Sequence, residues 1–132
     1  MSEIKGEQGF LSVNIAVLTV SDTRTLQDDK SGLALVQRIE GAGHTVAARD
    51  IVKDEVALIV VKLEAWIADE SIDVIIATGG TGVTGRDITP EAFSKVYEKE
   101  IPGFGELFRW VSYQKIGTST IQSRATAGIA SG

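Results

Sequence analysis

Three short apolar runs, each followed by a helical pattern, confine this chain to a narrow set of folds. "NIAVLTVSD" (Asn14–Asp22) is apolar almost throughout, the mark of a strand buried on both faces. "DVIIATGG" (Asp73–Gly80) has the same character. "HTVAARDIV" (His44–Val52) is less apolar and suits a sheet edge. Between the strands, "SGLALVQRIEGAG" reads as a helix, with Leu33, Val36 and Ile39 at three-residue spacing and a stop at Gly41 or Gly43. "DEVALIVVKLEAWIADE" sets Val56, Ile59, Val60, Leu63 and Ile67 on one helical face. Pro90–Lys99 predicts a third helix, with Pro90 at its first position and Thr89 as the cap. "GFGELFRWVSYQK" predicts a fourth, with Phe104, Leu107, Phe108 and Val111 on one side. Strands alternating with amphipathic helices imply an α/β fold whose mainly parallel sheet is covered on both faces. "IGTSTIQSRATAGIASG" reads as a loop, a short helix or the start of another strand, and residues 1–12 as a loose arm. No repeat or linker interrupts the 132 residues, so 1–132 reads as one domain.

Composition removes several classes of function. The net charge is −5 and no Lys/Arg cluster occurs, which argues against general nucleic-acid binding. An acidic chain binds small anions through backbone dipoles or a metal ion instead. The absence of cysteine excludes disulfides and thiolate metal sites. One histidine, His44, excludes a His-based metal centre and argues against a Ser-His-Asp triad. His44 lies at a strand start, away from the expected site, and reads as structural. Trp66 and Trp110 fall on helical patterns and read as packing residues. "MSEIKGEQGF" is polar, and no apolar run approaches the ~20 residues that span a membrane. The expectation is a soluble cytoplasmic protein.

Ligands on a parallel sheet sit beyond the carboxyl ends of its strands. The loops after Asp22, Val52 and Thr78 therefore matter most. From Thr78 the chain runs "TGGTGVTGRDITPEA", with four glycines within seven residues. Gly79, Gly80 and Gly82 permit positive φ and leave no Cβ to obstruct a ligand. Successive amides can then face one anion-sized hollow, with the Thr78 and Thr81 hydroxyls beside it. The pattern is neither a Walker A loop nor GxGxxG. A tight turn that tolerates glycine is the plainer alternative. Asp87 either closes a turn or faces a ligand. Asp54 either caps the second helix or faces the same ligand. Ser21 and Asp22 end the first strand at the same edge. Acids beside a phosphate cradle need a cation between, and magnesium held by one or two carboxylates and phosphate oxygens fits. Arg124, after Ser123, is either an exposed cation or a partner for phosphate.

Taken together, "TVSD", "DIVKDE", "TGGTGVTGRDITPEA", "PGFGELFR" and "STIQSRATAGI" resemble the MoaB/MogA molybdopterin-binding family over Asn14 to Gly128. "IGTSTIQSRA" is most similar to its MoaB branch. The resemblance implies a three-layer α/β/α sandwich that binds molybdopterin, a pterin carrying a dithiolene and a phosphate. Active members adenylylate that phosphate with Mg-ATP and release pyrophosphate. By motif, Asp54 and Asp87 are the catalytic and metal-associated acids, Gly79–Gly82 the loop, and Ser123 part of the pterin-phosphate region. Members also continue with a further apolar strand, a "PGS/PGN"-type loop and a last helix, none of which is in this sequence. Some MoaB-branch members without adenylylating activity carry Glu where this chain has Asp54. The resemblance further implies a homotrimer or homohexamer and contact with other molybdenum cofactor biosynthesis proteins. "PGFGELFRWVSYQKIG" is apolar enough for such an interface, though core packing explains it equally. Three functions stay open on sequence: molybdopterin adenylyltransferase, non-catalytic molybdopterin carrier, and oligomerisation module.

Overall fold

A computed structural model describes residues 9–131. The first eight residues of the expected N-terminal arm lie outside the described residues. The central strand, β1 (Asn14–Val20), pairs in parallel with β2 (Thr45–Val52) on one side and β3 (Val74–Thr78) on the other. The order β2-β1-β3 puts the least apolar strand at an edge, as its composition suggests. Every β1 side chain from Ile15 to Val20 is buried.

Strand alternation divides the core in two. Ala16, Leu18 and Val20 face one side. There they meet Ile59, Leu63 and Trp66 of α2 (Val56–Ile67) and Ala92 of α3 (Thr89–Ser94). Ile15 and Val17 face the other side and meet Ile39 of α1 (Lys30–Gly41). Helices thus cover both faces of the sheet, giving the three expected layers. Trp66 is a core residue. On α1 the inward residues are Leu35, Val36 and Ile39, whereas Leu33 is largely exposed. The three-residue spacing selected the wrong member because the helix turns 3.6 residues per turn and Leu35 shares the buried stripe.

A buried carboxylate joins α1 to the sheet. Asp29 caps α1 by accepting the Gly32 amide at 3.0 Å. Its other oxygen accepts the Thr19 hydroxyl at 2.6 Å and lies 3.3 Å from the Arg49 guanidinium. Burial alone raises this carboxyl's pKa, but the Thr19, Gly32 and Arg49 donors outweigh it and hold the group below its ordinary range. Nothing in "TRTLQDDKSG" distinguishes Asp29 from its solvated neighbours except the glycine three residues on.

Beyond α3 the chain departs from the expected pattern. The helix predicted over Pro90–Lys99 ends at Ser94. Lys99–Glu100 instead forms β4, antiparallel to β5 (Gly128–Ile129). A partner nearly thirty residues away leaves no mark on local periodicity. Thr89 is not the cap of α3 but its first residue. α4 (Pro102–Ile116) follows, then a 3₁₀ helix over Gly117–Gln122. Phe104, Leu107, Phe108 and Val111 are exposed, and Trp110 is 65% exposed, so Trp110 is not a packing residue within the chain. Among the described residues β3 pairs only with β1. A cleft of about 1110 Å³ runs along its free edge, bounded by Phe93, Phe104 and Phe108 and reaching Thr78 and Gly79.

His44 has the structural role expected of it. Its Nδ1 accepts the Val13 amide at 3.1 Å, and Phe10 packs on the ring with centroids 5.0 Å apart.

Replacing Asp29 by Asn removes the charge that compensates Arg49 and is expected to destabilise the fold by about 3 kcal/mol. The wild-type carboxyl is depressed on folding, so its contribution is complete above the unfolded pKa of about 4 and disappears as pH falls through the lower folded value. Urea denaturation of wild type and Asp29→Asn at a series of pH values measures both effects. The gap between the two proteins should close in acid. A gap that did not narrow at all as the pH falls below the unfolded value of about 4 would remove the charge from the account.

Candidate functional site

Parallel pairing brings the ends of β1, β2 and β3 to one edge of the sheet. Val20 lies opposite Val52, and Thr19 opposite Thr78. The residues that follow each strand therefore meet: Ser21 and Asp22, then Asp54, then the glycine loop.

The loop's shape comes from its glycines and from Thr89. Gly79 and Gly80 have φ of 101° and 67°, which residues with a Cβ rarely adopt. At Gly80 a Cβ would stand 2.3 Å from the Thr89 hydroxyl and 3.4 Å from Asp54 Oδ1. At Gly82 it would stand 2.7 Å from Asp87 Oδ2. The Thr89 hydroxyl donates to the Gly79 carbonyl at 2.8 Å, and the Thr89 amide donates to the Gly80 carbonyl at 3.0 Å. Thr89 thus fastens α3 to the loop. Among the described residues the amides of Gly80 and Thr81 donate to no backbone acceptor outside regular elements. Unpaired amides in such a turn are the kind of donors that receive an anion.

Asp54 and Asp87 flank this loop, one against Gly80 and the other against Gly82. Asp54 does not cap α2: the helix begins at Val56, Glu55 occupies the cap position, and no side chain caps it. The Asp54 amide donates to Asp22 Oδ1 at 3.0 Å. Its own Oδ1 is fully buried and has no hydrogen-bond partner. Burial, reinforced by the negative charge of Asp87, raises the Asp54 carboxyl above its ordinary value. Asp87 closes a turn with one oxygen: Oδ2 accepts the Thr84 amide at 2.9 Å and hydroxyl at 2.7 Å. These donors hold the Asp87 carboxyl below its usual value. Opposite shifts in neighbouring acids mark a site where one carboxylate is satisfied and the other awaits a partner.

The remaining expected residues occupy distinct positions. Asp22 is engaged on both oxygens, with Asp54 N–H on one and the Arg86 guanidinium on the other. The Ser21 hydroxyl accepts the Thr23 and Arg24 amides at 3.3 and 3.2 Å. Thr78 ends β3 and, with Gly79 and Thr81, borders the large cleft. Ser123 lines an adjoining cavity of about 480 Å³ with Glu91, Arg109 and Arg124, and this cavity shares Tyr97 and Thr126 with the large cleft. The structure therefore brings Asp22, Asp54, Asp87 and Gly79–Gly82 together, with Ser123 in the cavity next to them, beside the Arg124 amide that bonds the Thr81 carbonyl. Arg124 contacts the loop through its carbonyls. Asp54 and Asp87 border neither cavity, and both are half-buried against the loop. Arg86 and Glu91 were not singled out from sequence, although both lie within the quoted glycine motif. No group of three or more His, Cys, Asp or Glu among the described residues is arranged to hold a metal ion by protein ligands alone. No described helix is long and apolar enough to cross a membrane.

Comparison with known proteins agrees with this architecture. Residues 16–131 match the family described as "Probable molybdopterin binding domain". Molybdenum cofactor biosynthesis protein B of Escherichia coli K12 is 45% identical over 130 residues, covering 98% of this chain and 75% of the relative. A crystal structure of a molybdenum cofactor biosynthesis protein B superposes with a TM-score of 0.89 at 45% identity, covering 93% of this chain and 77% of the other. The tungsten cofactor synthesizing protein MoaB from Pyrococcus furiosus superposes with a TM-score of 0.81 at 36% identity, covering 94% and 77%. With a glycine loop between two acids at the strand ends, and with these likenesses across nearly its whole length, the chain belongs to the molybdopterin-binding domain family that includes molybdenum cofactor biosynthesis protein B.

Proposed function

We propose that this chain acts in molybdenum cofactor biosynthesis by binding molybdopterin and adenylylating its phosphate with Mg-ATP. The observation that carries the reading is the buried, unpartnered Oδ1 of Asp54 across the glycine loop from Asp87. An orphaned carboxylate oxygen is costly unless something binds it. The two acids fit magnesium, which takes one or two protein carboxylates and completes its shell with water and phosphate oxygens. Bound there, the ion would neutralise charge on the nucleotide phosphates.

The chemistry matches the residues present. A phosphate oxygen of molybdopterin forms a bond to the α-phosphorus of ATP. The bond from that phosphorus to the bridging oxygen of the β-phosphate breaks, and pyrophosphate leaves. The nucleophile is already anionic, so no general base is required, which suits a site without histidine. Catalysis then rests on positioning and charge stabilisation. The open Gly80 and Thr81 amides supply phosphate donors, and the cleft beside Thr78 and Gly79 supplies room for a pterin. The exposed aromatic side of α4 supports assembly into a trimer or hexamer, since apolar surface of that extent is seldom left in water.

Incubation of the protein with molybdopterin, ATP and magnesium should yield adenylylated pterin and pyrophosphate. Asp87→Asn is expected to lower turnover by about 100-fold or more while the circular dichroism spectrum is retained. Pterin retention without pyrophosphate from the wild type would leave a carrier and end the transferase reading.

Asp54→Asn is expected to abolish turnover and yet stabilise the metal-free protein. The folded Asp54 carboxyl sits above its unfolded value. Its contribution is therefore favourable only in acid, and is lost as pH rises through the folded value. At neutral pH the substitution should raise unfolding stability by about 1 kcal/mol, and magnesium should raise the melting temperature of wild type more than that of the variant. An equal magnesium response in both proteins would separate Asp54 from the ion. Light scattering should give the mass of three or six chains; a monomer mass would reject the assembly.

A further inference from the structure

We propose that Arg124 is a positioning residue that holds the segment from Gly82 to Asp87 in place, with Glu91 as its anchor, and that it is not a phosphate ligand. Its catalytic meaning rests on the adenylyl-transfer reading above. The guanidinium has five N–H donors, and protein acceptors take four of them. Nε donates to the Gly82 carbonyl, and Nη2 donates to the Asp87 carbonyl. Nη1 and Nη2 each reach one oxygen of Glu91, the second at 3.2 Å. The Arg124 amide adds a bond to the Thr81 carbonyl at 2.9 Å. One side chain therefore grips both ends of the segment that carries Asp87, and ties it to the first turn of α3.

This geometry opposes a ligand role. Phosphate recognition by arginine relies on two parallel N–H groups, and Arg124 has only one donor left. Its fork is matched instead to the Glu91 carboxylate and to two carbonyls that no side chain of another shape would reach together. The Asp87 carboxylate is set by Thr84 within the same segment. Loosening the segment's ends therefore moves the carboxylate without touching it.

Hydrogen–deuterium exchange on the full chain tests the assignment, comparing wild type with R124K and E91Q. R124K keeps the charge but loses the fork; E91Q keeps the fork but weakens its anchor. Amides of residues 82–87 should exchange about tenfold faster or more in both variants, while β1 and β3 amides stay protected. Wild-type exchange across 82–87 in either variant would overturn the proposal. Should R124K unfold as a whole, E91Q, which keeps Arg124, carries the test. Turnover gives a second readout. Both variants should lose about 10- to 100-fold in kcat, while the Kd for Mg-ATP from equilibrium dialysis changes less than about threefold. A weakened Kd in R124K with kcat and loop exchange as in wild type would make Arg124 a ligand. If wild type forms no adenylylated product, the transferase reading fails by itself, and loop exchange alone decides whether Arg124 holds the loop.

Discussion

Parallel pairing of β1 with both neighbours is the constraint on which the rest depends. Parallel strands point their carboxyl ends the same way, so whatever follows them gathers at one edge. Because Val20 stands opposite Val52 and Thr19 opposite Thr78, the three following segments emerge within side-chain reach of one another. A register slip of one residue would turn the β1 side chains to opposite faces and separate Asp54 from the glycine loop at once. The register is guarded by burial: no β1 side chain from Ile15 to Val20 could face water without loss of core.

The buried Asp29 network and the orphaned Asp54 show how this edge divides its work. Both carboxylates leave water, but only Asp29 receives three donors. Its pairing fixes the loop after β1 against α1 and the sheet, so it serves stability. Asp54 receives none on its buried oxygen and faces the charge of Asp87. A fold selected for stability alone would fill that position with a neutral group, as proteins commonly hold strained or unsatisfied groups where they bind. The contrast separates an acid satisfied by the fold from one left unsatisfied by environment, not by residue type.

Much of this was legible in the sequence. Strands with continuous β-branched runs, the alternation with helices and the edge position of the second strand all follow from patterning. The importance of the loops at the strand ends follows from parallel topology alone, and Asp54 and Asp87 do flank one loop. What escaped depended on contacts distant in sequence. Lys99–Glu100 joins Gly128–Ile129 rather than continuing a helix, because sheet pairing outweighs local propensity there. Thr89 looked like a cap, yet its hydroxyl is drawn to the Gly79 carbonyl, a contact that exists only once the loop has folded back. Trp110 looked like a core residue because periodicity shows which residues share a face, not what covers that face.

Charge distribution along the edge bears on the order in which ligands bind. Asp22 is paired with Arg86, and Glu91 with Arg124. Both guanidinium groups that touch the loop are thus already matched to a carboxylate; neither Asp54 nor Asp87 forms an ion pair among the described residues, though the Arg124 charge helps hold the Asp87 carboxyl low. On the proposed reading, an incoming phosphate would meet two carboxylates beside the amides that would receive it. Amide dipoles contribute partial charges and cannot offset two full ones at close range. If the proposed reading holds, nucleotide and divalent cation should arrive together, the cation's charge matching the pair of acids. A carrier that only stored a phosphorylated pterin would be better served by a lysine in either position. On the adenylyl-transfer reading proposed above, two acids beside a phosphate cradle are an advantage because a metal ion held between them would serve the chemistry.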